Sequence, residues 1–298
     1  MPGPGLIADN HPLVSVVVPT YQHAAYIAEC LEGILMQRTD FPVEILLGED
    51  DSSDGTRAIC QHYATMHPGR IRLFLRSRKD VIHINGTATG RANLLGLFRE
   101  ARGRYVAWCD GDDKWTDPLK LSKQLAYLEA RPGHALCFHR CHYLKGDKLE
   151  PMKLPEGVEL QDVRFTDLLD HGNFIASGSM LFRNVLQPLP AWLARATFAD
   201  YGINLLLSRQ GKLGCLEEYL SAYRITGGAL WSQVSLDAQD RGHLLFLKVI
   251  APQLVGPAER SAWKRRRGRL LDRMAQRRWA GSAWKRRIGN WYLRATQG

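Results

Sequence analysis

The chain has 298 residues, 45% hydrophobic and 23% charged, the balance of an ordinary globular protein, and no stretch approaches the roughly 20 consecutive apolar residues that span a bilayer. Its formal charge of +10 is uneven: residues 261–298 hold 12 Lys and Arg against Asp272 alone, leaving 28 basic and 29 acidic residues elsewhere. The basic balance therefore describes the tail and excludes nothing about the body. The N-terminus has neither the basic segment nor the apolar segment of a signal peptide. With no export signal expected, the six scattered cysteines read as free thiols in a reducing compartment.

Residues 13–19, LVSVVVP, form a β-branched apolar run of strand length with little alternation, which suits a strand covered on both faces. A polar turn, TYQHA, leads into a segment with Ile27, Leu31, Ile34 and Leu35 at helical spacing. VEILLGED, 43–50, predicts a second buried strand that stops at acids. SSDGTRAICQHYATMHP predicts a helix with Ser52 or Ser53 as its cap and Pro68-Gly69 as its stop. IRLFLR, 71–76, is a third strand; GTATGRANLLGLFREARG is loop, then helix; YVAWC, 105–109, is a fourth strand. Beyond 120, the pattern predicts a helix to Pro132-Gly133, a strand at ALCFHRCHYL, a strand at FIASGSMLFR and a helix at ADYGINLLLSRQGKLGCL. EEYLSAYRITGGALWS, 217–232, follows, and the rest is helical, with a break near Gly281-Ser282. This order predicts an α/β fold with a mostly parallel central sheet flanked by helices. It divides into a domain over 1–235 and a basic amphipathic helical region over 236–298.

In such sheets ligands bind beyond the carboxyl ends of the strands. Three predicted strand ends are polar: Thr20-Tyr21, Glu49-Asp50-Asp51 and Asp110-Gly111-Asp112-Asp113. Three carboxylates within four residues repel one another, more so when partly buried. They read either as a solvated acidic turn or as ligands for a hard divalent cation, Mg2+ or Mn2+, whose open positions would take diphosphate oxygens. Gly111 would let the backbone approach that ligand. Asp50 could accept a hydrogen bond from a base or a ribose. No GxxxxGK[ST] phosphate loop is present.

VSVVVPTYQHAAYIAECLEGIL, VEILLGEDDSSDGT and YVAWCDGDDKWTDPLKLSKQL together resemble the opening motifs of the family 2 glycosyltransferases, over about residues 13–231. The resemblance implies a GT-A fold, a nucleotide-sugar donor (most often a UDP-sugar) and a Mn2+ or Mg2+ cofactor. It implies that Pro19, Thr20 and Tyr21 line the nucleobase pocket, that Asp50 bonds the base and that Arg91 lies near the ribose or diphosphate. Asp110 would contact the ribose or metal, Asp112 would be the main metal ligand, and Asp113 and Trp115 would shape the donor and acceptor sugar side. Asp200, at the start of an apolar helix, would be the general base of an inverting displacement; a helix N-cap is its structural alternative. Trp231 would stack on an acceptor sugar or pack in the core. Thr226 stands where many relatives carry a histidine of the metal or phosphate shell.

Two features lie outside that pattern. CFHRCH, 137–142, puts Cys137, His139 and Cys141 on one strand face, but four converging ligands are needed for zinc, so an ordinary strand is expected. The tail repeats SAWKRRRG at 261 as SAWKRRIG at 282, with tryptophans among the arginines. It reads either as a basic helix pair packed on the body or as an anchor for an anionic membrane surface; no nucleic-acid partner is expected. The resulting reading is a metal-dependent inverting glycosyltransferase, peripheral on the cytoplasmic face of a bacterial membrane, with a glycan or lipid-linked acceptor. The alternatives are a non-catalytic nucleotide-sugar or polysaccharide-binding protein on the same scaffold, and a nucleotidyltransferase, whose basic Gly-rich phosphate loop is missing.

Overall fold

The computed structural model describes residues 11–226 and 235–279. In chain order the elements are β1 (Val14–Thr20), α1 (Ile27–Leu35), β2 (Val43–Glu49), α2 (Thr56–Met66), β3 (Ile71–Leu75), β4 (Ile82–Ile84), β5 (Thr87–Thr89), α3 (Arg91–Glu100), β6 (Tyr105–Trp108), β7 (Lys114–Trp115), α4 (Lys120–Glu129), β8 (His134–Lys145), β9 (Lys148–Pro151), α5 (Phe165–His171), β10 (Leu181–Arg183), α6 (Ala199–Leu207), β11 (Lys212–Arg224), α7 (Leu236–Ile250) and α8 (Gly256–Trp279).

The central sheet runs β3-β2-β1-β6-β10-β8-β11-β7, with β9 beside β8. Its first half is parallel, as expected: β1 pairs with β2 and β6, and β2 with β3. β10 is antiparallel to both β6 and β8, whereas β8 and β11 are parallel. The sheet is therefore mixed in its second half. Consecutive residues of β1 point to opposite sides, and both sides are covered. Val14, Val16 and Val18 pack with α1, Cys60 of α2 and Leu121 of α4. Val17 faces a second core that holds Leu94 and Leu97 of α3, Leu168 of α5, Ile203 of α6, Phe246 of α7 and Leu270 of α8. That is why residues 13–19 show no alternation in sequence.

Several expected elements differ. Gly55, at φ 100°, is the N-cap residue of α2 in place of Ser52 or Ser53, whose hydroxyls instead accept from the Gln22 backbone and side-chain amide. FIASGSMLFR forms a 3-10 turn at Ser177–Ser179 and then only the short β10. The helix expected within 199–216, running to a Gly, stops at Leu207, and Lys212–Arg224 is a strand. Its Glu217-Glu218 pair coincides with register shifts against β8, which breaks the alternation by which strands are recognised. In β8, Cys137, His139 and Cys141 are all buried. The break near Gly281 and the second basic repeat fall outside the described residues.

Candidate active site

The end of β1 joins two acidic loops. Its Thr20 carbonyl accepts from the Asp50 backbone amide at 3.1 Å, and its Pro19 carbonyl accepts from the Gly111 amide at 3.0 Å. Asp54 holds the first turn in place: its carboxylate accepts from the Ala24 amide (3.0 Å), the Thr56 amide (3.0 Å) and the Thr56 hydroxyl (2.6 Å). The His23 amide in turn donates to the Thr56 hydroxyl at 2.8 Å. The SSDGT motif is thus a clasp that shapes the turn carrying Tyr21.

Tyr21 and Asp50 lie side by side, bridged by Arg78. The guanidinium sits 4.0 Å from the Tyr21 ring centroid and donates to Asp50 Oδ2 at 2.7 Å. Burial raises the Asp50 pKa, against the opposing pull of Arg78. Arg78 carries no sequence signal among the other basic residues of 70–79; only the contact reveals it.

The acidic loop after β6 is divided by burial. Asp110 accepts from Trp108 Nε1 at 3.0 Å and from the Ser177 hydroxyl at 2.7 Å; burial and then Asp112 push its pKa up to about 7. Asp112 stands partly exposed, with His23 Nε2 3.7 Å from its carboxylate, while His23 Nδ1 is 3.2 Å from the Thr20 hydroxyl. Burial lowers the His23 pKa, so the neutral imidazole is favoured.

Asp113 and Trp115 are corrections. Asp113 is 2% exposed and accepts from the Arg224 amide at 2.9 Å, and its second oxygen is buried without a hydrogen-bond partner among the described residues. It ties β11 to the acidic loop and is not presented to a sugar. Trp115 is fully buried, with Lys120 Nζ 3.9 Å from its ring centroid. A Cβ at Gly111 would lie 2.5 Å from Thr20 Oγ1 and 3.0 Å from His23 Nδ1, so packing against β1 already requires a glycine there.

Asp200 lies in the first turn of α6, whose N-cap residue is Phe198, so it is not the cap. Its Oδ2 accepts from Asn173 Nδ2 at 2.6 Å, and Asn173 Oδ1 accepts from Asn204 Nδ2 at 2.9 Å. Burial raises the Asp200 pKa. Arg91 is buried, donating to the Leu193 carbonyl at 2.5 Å and the Thr197 carbonyl at 3.5 Å. Its donors therefore brace the segment leading to Asp200, and burial lowers its pKa to about 10 against the pull of Asp200. Its donors reach backbone carbonyls and not the acidic loop.

Four carboxylates lie within electrostatic reach of Tyr223. Burial first, then Asp113, Asp110, Asp112 and Asp200, raise the Tyr223 phenol. Arg224 supplies the cation beside them: it donates to the Asp112 carbonyl at 2.9 Å and pairs with Glu29. Sequence reasoning missed Tyr223 and Arg224 because their strand was missed. Among the described residues no three His, Cys, Asp or Glu side chains gather to hold a metal ion by themselves. Thr226 follows the end of β11, and Trp231 lies outside the described residues.

The fold and these motifs have counterparts. A Mycobacterium tuberculosis protein of uncharacterized function is 32% identical over 310 residues, covering 92% of this chain and 86% of its own. A Bacillus subtilis protein named for a glycosyltransferase of teichuronic acid biosynthesis, TuaG, is 36% identical over 222 residues, covering 70% and 79%. The structure resembles the mannosyltransferase PcManGT of Pyrobaculum calidifontis, solved with GDP-Man and Mn2+, at TM-score 0.61 and 17% identity, over 86% of this chain and 69% of that one. It also resembles residues 1–349 of TarS from S. aureus, solved with UDP, at TM-score 0.57 and 18% identity, over 87% and 71%. The sequence model described as glycosyl transferase family 2 matches residues 15–189. With the GT-A fold around three polar strand ends, two of them acidic, and a matching relative across nearly its whole length, the chain belongs to glycosyl transferase family 2.

Proposed function

We propose that the protein is an inverting, divalent-metal-dependent glycosyltransferase that uses a UDP-sugar and acts on a glycan or lipid-linked acceptor in bacterial surface polysaccharide synthesis. The observation that carries this reading is Asp112 at the crevice beside His23, on the same loop as Asp110 and joined through the end of β1 to the loop that carries Asp50. That much negative charge, with Asp110 pushed up to about 7, suits a cation. The donor set is oxygen-rich, as Mn2+ and Mg2+ prefer. Asp112 and Asp110 would hold the ion, with His23 alongside. When bound, it would neutralise charge on the diphosphate leaving group.

The chain's own residues do the rest. Tyr21 offers a ring face to the base, and Asp50 accepts a base N–H. Asp200, oriented by Asn173 and Arg91, takes the proton from the acceptor hydroxyl as that oxygen attacks the anomeric carbon. Attack opposite the leaving group inverts the configuration. A pKa raised by burial makes Asp200 a stronger base than a solvated carboxylate.

A lipid-linked acceptor would agree with peripheral attachment to the cytoplasmic face of the cell membrane. No helix of the described residues is long and apolar enough to cross a membrane. Half of the eight arginines of α8 are paired with acids: Arg265 and Arg269 with Asp170, Arg273 with Asp240, and Arg277 with Asp237 and Asp240. Attachment would therefore rest on residues 280–298, which add Lys285, Arg286, Arg287 and Arg294 with no acid.

The test is a panel of nucleotide sugars scored for Mn2+-dependent transfer or donor hydrolysis. One UDP-sugar should be turned over. Asp112→Ala should lose metal dependence and activity, and Asp200→Asn should lose transfer while still binding UDP. Transfer intact in both variants would refute the mechanism. UDP binding without any turnover across the panel would favour the binding-protein reading.

A further inference from the structure

Three arginines of α8, Arg265, Arg266 and Arg269, converge on one short helix. α5 has seven residues, too few to be stable alone. Its end is held from outside. Arg265 forks onto Asp170, Nε to Oδ1 at 2.9 Å and Nη2 to Oδ2 at 2.5 Å. Arg269 donates to the Asp170 carbonyl and to Oδ1. Arg266 donates to the His171 carbonyl at 3.4 Å. Cations here meet the carbonyls that a helix leaves unpaired at its C-terminus, and the forked pair fixes orientation as well as distance.

The residues just past α5 support Asp200. Gly172, at φ 86°, ends the helix, and the next residue is Asn173, whose amide donates to Asp200. A second tie runs in parallel: the Tyr201 hydroxyl, one residue past Asp200, donates to the Leu168 carbonyl of α5 at 2.6 Å. α8 is itself seated in the core through Ala262 and Leu270, both 0% exposed, and Trp263 Nε1 donates to the Leu247 carbonyl at 2.9 Å. A rigid line therefore runs from the core through α8 to the end of α5 and on to Asn173.

We propose that α8 is a positioning element for catalysis: Arg265, Arg266 and Arg269 fix the end of α5 and thereby hold Asn173 against Asp200. The inference rests on the reading of Asp200 as the base. Half-exposed ion pairs of this kind add little to stability, so their contribution is placement. The basic composition of 256–279 then serves the active site from behind.

The experiment measures kcat, donor KM and the pH profile of kcat for the full chain and its variants. In Arg265→Ala/Arg269→Ala, kcat should fall about tenfold, since small misplacements of a catalytic group are costly, with donor KM within about twofold of wild type. Losing the Asn173 bond removes a contact that favours the charged carboxylate, so the Asp200 pKa rises and the acidic limb of kcat moves to higher pH. Asn173→Ala should move it the same way, and combining it with the arginine pair should add little. Arg265→Lys/Arg269→Lys should recover much of kcat. Asp170→Asn, which leaves the helix sequence otherwise intact, serves as a second probe should the arginine pair unfold, and should shift the limb in the same direction. Exposed Lys264→Ala is the unchanged control. A lowered Tm with kcat and its acidic limb as in wild type, for both the arginine pair and Asp170→Asn, would overturn the proposal. Full additivity with Asn173→Ala would overturn it too. Transfer surviving in Asp200→Asn would overturn the base assignment itself, a separate and distinguishable failure.

Discussion

Gly111→Ala is the sharpest single test of how the acidic loop is held. The added Cβ would lie 2.5 Å from Thr20 Oγ1, 2.7 Å from Thr20 Cβ and 3.0 Å from His23 Nδ1. Ordinary carbon contacts begin near 3.5 Å, so one partner must yield by roughly 1 Å. Thr20 cannot yield easily: it ends β1, is 2% exposed, and its carbonyl is bonded to the Asp50 amide. The strain falls on the loop, which carries Asp110 on one side and Asp112 on the other. Overpacking of this kind costs about 1–3 kcal/mol, or a few degrees of Tm at roughly 2–4 °C per kcal/mol for a chain of this size. The functional loss should be larger, since a ~1 Å misplacement near the reacting groups can cost about a hundredfold. Thermal unfolding and Mn2+-dependent donor hydrolysis, measured together, give both quantities. Gly133→Ala, where a Cβ meets nothing within 4 Å, controls for backbone entropy and should leave both within error or slightly raise Tm. A Gly111→Ala enzyme with wild-type Tm and turnover would refute the packing argument.

Two further expectations concern the core and the tail. Lys120 is fully buried, donates to Gln124 Oε1 at 2.8 Å, and burial lowers its pKa from 10.5 to about 7. Between those values the unfolded chain holds a proton that the folded one does not, so folding stability rises with pH there, by up to about 1.4 kcal/mol per pH unit. Relative to Lys120→Met, wild-type stability in urea should therefore increase from pH 7 to pH 9; a constant difference would place the ammonium in a solvated site. Deleting 280–298 should reduce co-sedimentation with anionic vesicles without lowering Tm, and undiminished sedimentation would refute the attachment proposed for that segment.

The first half of the molecule was legible in sequence because its signals are local. Strands covered on both faces give unbroken apolar runs, and each run here ends in a distinctive polar turn. Those signals locate β1, β2, β3 and β6, and they group Tyr21, Asp50 and Asp110–Asp113 at one sheet end. The second half was less legible. β11 carries Glu217-Glu218 at a register shift, and β7 is two residues long, so neither shows a period. Their absence hid Tyr223 and Arg224.

Sequence by itself determined which residue types reach the site; tertiary structure decided what each one does there. Asp112 and Asp113 are neighbours with identical side chains, yet one stands at the crevice and the other is buried beneath β11. Arg91 and Arg78 both precede or follow short turns, yet one braces the segment before Asp200 and the other covers Tyr21. Charge in the tail reads as free until the acids of α5 and α7 are brought against it. Burial, pairing and electrostatic environment are set by contacts between segments a hundred residues apart, and spacing along the chain does not encode them.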